Sequence, residues 1–539
     1  MRNICLSMLV ASVLIPNSLV AIDNSVASDN KVINKDLKED INHKDKRVID
    51  LTLKKLINEV IKRNPNIIFD RIQSDMIDSQ IRYEDSIFTP TFYLNLTHQD
   101  SNTPNNTETT LSKGYLSTYS EVSNNIEMGL TGLLPTGAKW NTSIKSNDRQ
   151  SNLIEKYKEY DTEYDDSLSL SITQPLMKGF GSDITKSKYY LAKADKDIFD
   201  KQFKKKLMDL MGNVIQTYWR YYSANNLKNS WEKSLKISQE TIELLETRFK
   251  SGDISYGEVL EVKSASMNRK AELKRIESEY VKLQNELFTL LNIKNDEAID
   301  IEFNLVDQPL DDSEDYSDPK EYYKNALVNF PELEIAKEKL KKETMQVKYA
   351  DDLSDPQLDL VTSASTTTLS DQRENQFYED DFLTWSVGLQ FSLPIFDTQS
   401  NSAVQMAKLK KKQVELEIET LDKNLYNAIL TKLDSLKNSK DQVTYYKDGL
   451  KLKEELYLYT YKAFNLGEKS IRDVLNQEED IIDYKRKLFN TIIDWKLSQA
   501  ALDKAVGSLF DKYLKYEDIE KLKDMELNDS LDNDNFGKM

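Results

Sequence analysis

The chain repeats itself at a fixed offset, and that repeat limits what it can fold into. Asn64-Pro65 and Phe330-Pro331 each interrupt a helical pattern. Twenty-five residues after each proline comes another, Pro90 and Pro356. An alternating run follows directly, Phe92-Tyr-Leu94-Asn-Leu96 in one half and Leu358-Asp-Leu360 in the other, so the offset is 266 throughout. Further on, Leu168-Ser-Leu170-Ser-Ile172-Thr-Gln-Pro175 and Trp385-Ser-Val387-Gly-Leu389-Gln-Phe391-Ser-Leu393-Pro394 alternate strictly and end on proline. Each leads into a long helical segment, then a glycine (Gly252, Gly467), then a returning helix. One unit of helix, strands, long helix, turn and helix is thus used twice.

The two periods in that unit make different demands. Leu273, Ile276, Tyr280, Leu283, Leu287 and Leu290 step 3-4-3-4-3, a seam for a second helix. Leu488, Thr491, Trp495, Ser498, Leu502 and Ala505 form a narrower seam in the second half. From about Ile184 to Phe249 there is no proline and a single glycine, Gly212. At 1.5 Å per residue such a helix runs roughly 100 Å, a length that suits a stalk or a tunnel and no compact core. The scarcity of Gly (14) and Pro (11) among 539 residues fits long helices, since both residues break them. The alternating runs place apolar residues on one face and Ser on the other, as a strand between lipid and water requires. Ile126-Glu-Met128-Gly-Leu130 and the stretch near Lys139-Trp140 flank Leu134-Pro-Thr-Gly137, an extra hairpin over 122–148 that only the first half carries.

The N-terminus reads as an export signal over 1–21. Arg2 supplies the charge, Ile4 to Ile15 an apolar stretch too short to span a bilayer, and Ala21 a small residue at the cleavage point. The sole cysteine, Cys5, leaves with it, so the mature chain is expected to lack disulfides and thiolate metal sites. Residues 22–48 read as a flexible lead-in, 49–300 as the first repeat, 301–317 as an acidic linker, 318–508 as the second repeat, and 509–539 as an acidic tail.

A net charge of −18 excludes a nucleic-acid binder, which needs a basic face. Lys204-Lys205-Lys206 reads as a solvated helix face. No enzyme is expected. The two histidines, His43 and His98, are isolated, and no H-E-x-x-H, P-loop or G-x-S-x-G motif occurs. No cofactor or metal is implied, for the acidic stretch Asp311 to Asp318 lacks the glycine of a calcium loop.

Taken in order, Thr173-Gln-Pro-Leu176 with Lys178-Gly-Phe-Gly181, Arg248-Phe-Lys-Ser-Gly252 leading to Glu258-Val-Leu260, and Tyr461-Lys-Ala-Phe-Asn-Leu-Gly467 leading to Ile471-Arg-Asp-Val-Leu475 resemble the TolC-like family of outer-membrane efflux proteins. The resemblance covers nearly all of 48–508. It implies a mixed α and β membrane protein. About four strands per protomer would close a twelve-stranded barrel in a homotrimer, continued by a helical periplasmic tunnel with an α/β belt. The tunnel would dock on a periplasmic adaptor and an inner-membrane pump, giving passive exit in efflux or type I secretion. Matching the motif puts Asp473 and Asn476 at the pore constriction. The better-studied members carry acid at both positions, whereas here the second is neutral. The match also makes Lys469 a closed-state latch with Glu258 as its partner, and assigns Phe249, Gly252, Phe464 and Gly467 to tip shape and adaptor contact. The competing expectation is a periplasmic coiled-coil spacer without a pore, which explains the heptads and leaves the alternating strands unexplained.

Overall fold

The computed structural model describes residues 47–112, 114–294, 301–307, 309, 318–373 and 382–514. The export signal and nearly all of the lead-in lie outside them. Strand β1 (Arg47–Leu51) leads into α1 (Leu53–Arg63) and α2 (Pro65–Asp85). Asn64 closes α1 and opens α2 with φ −66° and ψ 123°. Phe330 does the same between α8 (Pro319–Asn329) and α9 (Pro331–Ser354), with φ −67° and ψ 118°. The residue before a proline is driven out of the helical region, so each proline builds the same kink in both halves.

The strands follow these kinked pairs. β2 (Thr91–Pro104), β3 (Thr118–Leu133), β4 (Lys139–Ser151) and β5 (Thr162–Pro175) belong to the first half, with short helices α3 (Thr107–Ser112) and α4 (Asn152–Tyr157) between them. β7 (Gln357–Ser370) and β8 (Phe382–Ser392) belong to the second. All six form one antiparallel sheet in the order β2-β3-β4-β5-β7-β8. The sheet thus holds six strands, two more than the four per protomer expected of the barrel. The first-half hairpin pairs edge to edge between β2 and β5, where its backbone groups find partners on both sides. Its strands begin at Thr118 and end at Ser151, a few residues beyond the expected 122–148.

After a one-turn helix α5 (Ser182–Thr185), α6 (Ser187–Lys250) runs for 64 residues and returns as α7 (Tyr256–Leu290). The second half repeats this with α10 (Thr398–Asn465), of 68 residues, and α11 (Ile471–Val506). At 1.5 Å per residue α6 and α10 extend about 95–100 Å. Most of the expected seams are buried: Leu273, Ile276, Tyr280, Leu283 and Leu287 on α7, with Leu290 partly so, and Leu488, Thr491, Trp495, Leu502 and Ala505 on α11. Ser498 is only half-buried, and Gln499 beside it is buried instead.

Midway along the helices lies a belt. β1 pairs in parallel with β6 (Ile301–Leu305). The first part of the expected linker 301–317 is thus a strand, and residues 310–317 fall outside the described part. Leu56, Ile57, Val60, Met208, Met211, Tyr218 and Tyr221 form the core beneath this pair. Helix α12 (Leu509–Tyr513) adds Leu509 and Phe510 to it, so the expected acidic tail begins inside the fold. The triple lysine is half-exposed to exposed and is also ion-paired. Lys205 meets Glu332 at 3.2 Å and Lys206 meets Asp70 at 2.5 Å, while Lys201 and Lys204 share Glu334 at 3.0 and 3.3 Å. These pairs fasten α6 to α2 and α9.

Candidate channel wall and tip

The sheet has two chemically distinct faces. Register rows across all six strands read Phe92, Leu130, Thr142, Leu170, Ala364, Trp385 and Leu94, Met128, Ile144, Leu168, Thr366, Leu383. These side chains are largely exposed, Trp385 by 70%. Nothing among the described residues covers them. The opposite face is polar and internally bonded. Ser143 meets Ser169 at 2.8 Å, Ser363 meets Ser386 at 2.8 Å, and the Tyr93 hydroxyl reaches Glu127 Oε1 at 3.1 Å and Asn141 Oδ1 at 3.2 Å. An apolar face outward and a hydroxyl-rich face inward is the arrangement of a wall between lipid and water. The end strands β2 and β8 have one partner each among the described residues and are exposed on both faces. Among the described residues no helix is long and apolar enough to cross a membrane.

At the far end of the helices the two turns are built alike. Gly252 and Gly467 adopt φ +83° and +80°. In each, the glycine N–H donates to the carbonyl three residues back (Phe249, Phe464) and the next N–H to the carbonyl five back (Arg248, Ala463). That is the left-handed helix stop that glycine favours. Three residues on, Ser255 and Ser470 cap α7 and α11, accepting from the backbone N–H of Glu258 and Asp473. Asp473 completes a capping box, its carboxylate accepting from the Ser470 N–H at 3.0 Å and hydroxyl at 2.8 Å. Those bonds, with Lys469 and Arg472 nearby, hold the Asp473 carboxyl below its ordinary value.

Leu245, Val259, Val262, Phe464, Ile471 and Val474 unite both turns in one apolar cluster. Phe464 is only 5% exposed and has the Arg248 guanidinium 5.6 Å from its ring, whereas Phe249 is 43% exposed. Phe464 therefore shapes the tip from inside. Its ring fills the core shared by the two turns. Asn476 is exposed, one helical turn beyond half-exposed Asp473. Lys469 and Glu258 line one recess of about 900 Å³ between the turns. No ion pair joins them among the described residues. Among the described residues the charge contact across the two turns is Arg472 with Glu261, a pair the sequence analysis does not single out.

A second contact missed from sequence lies further up. Arg269 on α7 meets Glu478 on α11 at 2.9 Å, and Ser234 on α6 donates to the same carboxylate at 2.5 Å. Both charged side chains are nearly buried, at 7% and 11% exposure.

Residues 137–292 and 322–508, well over half the chain, match the family described as Outer membrane efflux protein. The chain belongs to that family. As an outer membrane efflux protein it is a protein of the outer membrane, and both of its long helix hairpins lie within the matched residues. It is 23% identical over 174 residues to Outer membrane protein TolC of Salmonella enteritidis, and 23% over 177 residues to that of Escherichia coli (strain K12). The chain spans about a third of the length of these curated relatives. Its fold is that of the Campylobacter jejuni CmeC outer membrane channel, with a TM-score of 0.64 at 15% identity, covering 87% of this chain and 89% of that one. The outer membrane protein VceC of Vibrio cholerae aligns with a TM-score of 0.59 at 16% identity, over 84% and 96%.

Proposed function

We propose that three copies of this chain form a passive outer-membrane exit duct, serving efflux or type I secretion. The observation that carries the reading is the two-faced sheet with free edges, joined without interruption to helix hairpins about 100 Å long. A sheet edge in lipid leaves backbone groups unpaired at several kcal/mol each, so copies must close the wall together. A spacer without a pore has no use for an uncovered apolar sheet face.

The helices then form the periplasmic tunnel, with the paired turns at its narrow end. Three copies of Asp473, with neutral Asn476 beside each, set an anionic ring that favours cations. The ring is weaker than one with acid at both positions. Lys469 and Glu258 latch the closed tip, each exposed pair contributing about 0.2–1 kcal/mol. Phe249 and the turns at Gly252 and Gly467 meet a periplasmic adaptor, and an inner-membrane pump supplies the energy.

The test is purified full-length protein in planar lipid bilayers, with its mass measured in mild detergent. A trimer with cation-preferring conductance is expected. A monomer giving no conductance would overturn the reading.

A further inference from the structure

We infer that the β3–β4 hairpin is part of the membrane wall, so that three copies close an eighteen-stranded barrel, six strands from each. The inference rests on the trimeric-channel reading and deepens it.

The first support is length. β3 descends alongside β2 to its very start, Thr131 opposite Thr91, and β4 runs beside β5 almost to its end, Lys139 opposite Thr173. The hairpin therefore reaches from one rim of the wall to the other. A loop folded over the mouth would pair only near the outer ends of β2 and β5.

The second is where its turn sits. Gly181 donates its N–H to the Thr136 carbonyl at 3.1 Å, and Gln174 bonds both the hydroxyl and the carbonyl of Thr136 at 2.8 and 3.1 Å. A Cβ on Gly137 would lie 2.4 Å from the Gly179 carbonyl oxygen. The turn is thus seated on the bend that carries β5 into α5 and α6, at the helix end of the wall.

The third is the outward face. Moving from β2 to β8, the apolar residues drift along the register rows. They occupy Phe92–Leu96 on β2, while β8 carries them from Leu383 to Phe391, past the row of Trp385 that matches Phe92. A level lipid band crossing tilted strands produces that drift. Met128 and Ile144 fall on it without a gap. An insertion outside the wall has no reason to keep lipid-facing residues in step.

Barrel diameter grows nearly in proportion to strand number. At about 4.8 Å between strands and a tilt of about 40°, eighteen strands give roughly 36 Å between backbones, against roughly 24 Å for twelve. The outer-membrane end is then no sieve for anything that has passed the helical tip. Selection by size rests wholly with the tip.

Two measurements on the full-length protein in lipid nanodiscs test this. Electron cryo-microscopy of the unmodified trimer should count eighteen wall strands, and twelve, with the hairpin outside, overturns the inference. Single-cysteine variants then probe the faces, using a water-soluble maleimide. Lys145→Cys should react as fast as Ser169→Cys on the neighbouring inward face, and Ile144→Cys should be shielded at least tenfold, like Leu168→Cys. Equal reaction at 144 and 145, with 168 still shielded, removes the hairpin from the wall and leaves the channel intact. Equal reaction at 168 and 169 as well, with no trimer, sinks the channel reading and this inference with it. Conductance is governed by the narrow tip, so it tests the channel without testing the calibre of the barrel.

Discussion

Asp473 carries a charge and ends a helix, and the two duties separate under substitution. Asp473→Asn should lower cation preference, read as a shift of reversal potential in a salt gradient, while its amide oxygen still accepts from Ser470. Asp473→Ala should give the same shift and loosen the start of α11. Unchanged reversal potentials in both variants would place the ring elsewhere. Ser470→Ala removes the cap and the hydroxyl bond to Asp473 while keeping the charge, and should cost about 1 kcal/mol of local stability, measured by hydrogen exchange over 471–476. The carboxyl is held below its ordinary value of 3.8, chiefly by the Ser470 bonds. A depressed acid contributes stability above its unfolded value and loses it as pH falls through the lower folded one. Cation preference should therefore stay level from pH 7 to about pH 4 and fall only below that range. A decline centred near pH 6 would mean another group sets the selectivity. The sequence revealed this position because serine, glycine and acid at a fixed spacing form a local signal. It hid the burial of Phe464, because nothing in the spacing of one turn shows that another turn covers it.

Between helices, the buried contact of Arg269 with Glu478 and Ser234 ties three of the four long rods together above the tip. Removing one partner of a buried pair strands the other charge, at about 3–5 kcal/mol. Glu478→Gln should therefore lower thermal stability strongly, while Arg269→Met combined with Glu478→Leu should come close to the parent. If the single variant melts like the parent, the pair holds nothing together. Sequence could not show this triad. On each helix the residue reads as one more polar position, and its partners stand 209 and 244 residues away. The same holds for the lysines of α6, whose acidic partners stand on α2 and α9. Where a signal repeats along one helix it was legible, as with the seam from Leu273 to Leu287. Where it depends on which helix lies alongside, the chain leaves no periodic mark.

For the molecule as a whole, the halves match on either side of the wall and differ within it. Prolines correspond at an offset of 266, but the tips correspond at 215, for Gly252 and Gly467, Ser255 and Ser470, and Glu258 and Asp473 alike. The first half therefore carries 51 extra residues, lodged mainly in the sheet. The hairpin was visible in sequence as alternation around a turn, but its place in the strand order was not, since pairing between distant strands is written in no single segment. A lipid-facing charge tests the wall directly. Leu168→Arg should destabilise the assembled protein by about 2–4 kcal/mol, while Ser169→Arg on the inner face should be tolerated. Equal effects, read as trimer loss on heating in detergent, would deny the two faces their different surroundings. The inserted hairpin also fixes how such a duct can change size over its history. Identical copies in a closed antiparallel ring keep their alternation at each seam only when every copy brings an even number of strands. A lone added strand would set parallel neighbours at all three joints, so calibre cannot be tuned gradually. With threefold symmetry it moves in jumps of six strands, and a single duplicated hairpin is the smallest heritable step to a wider bore.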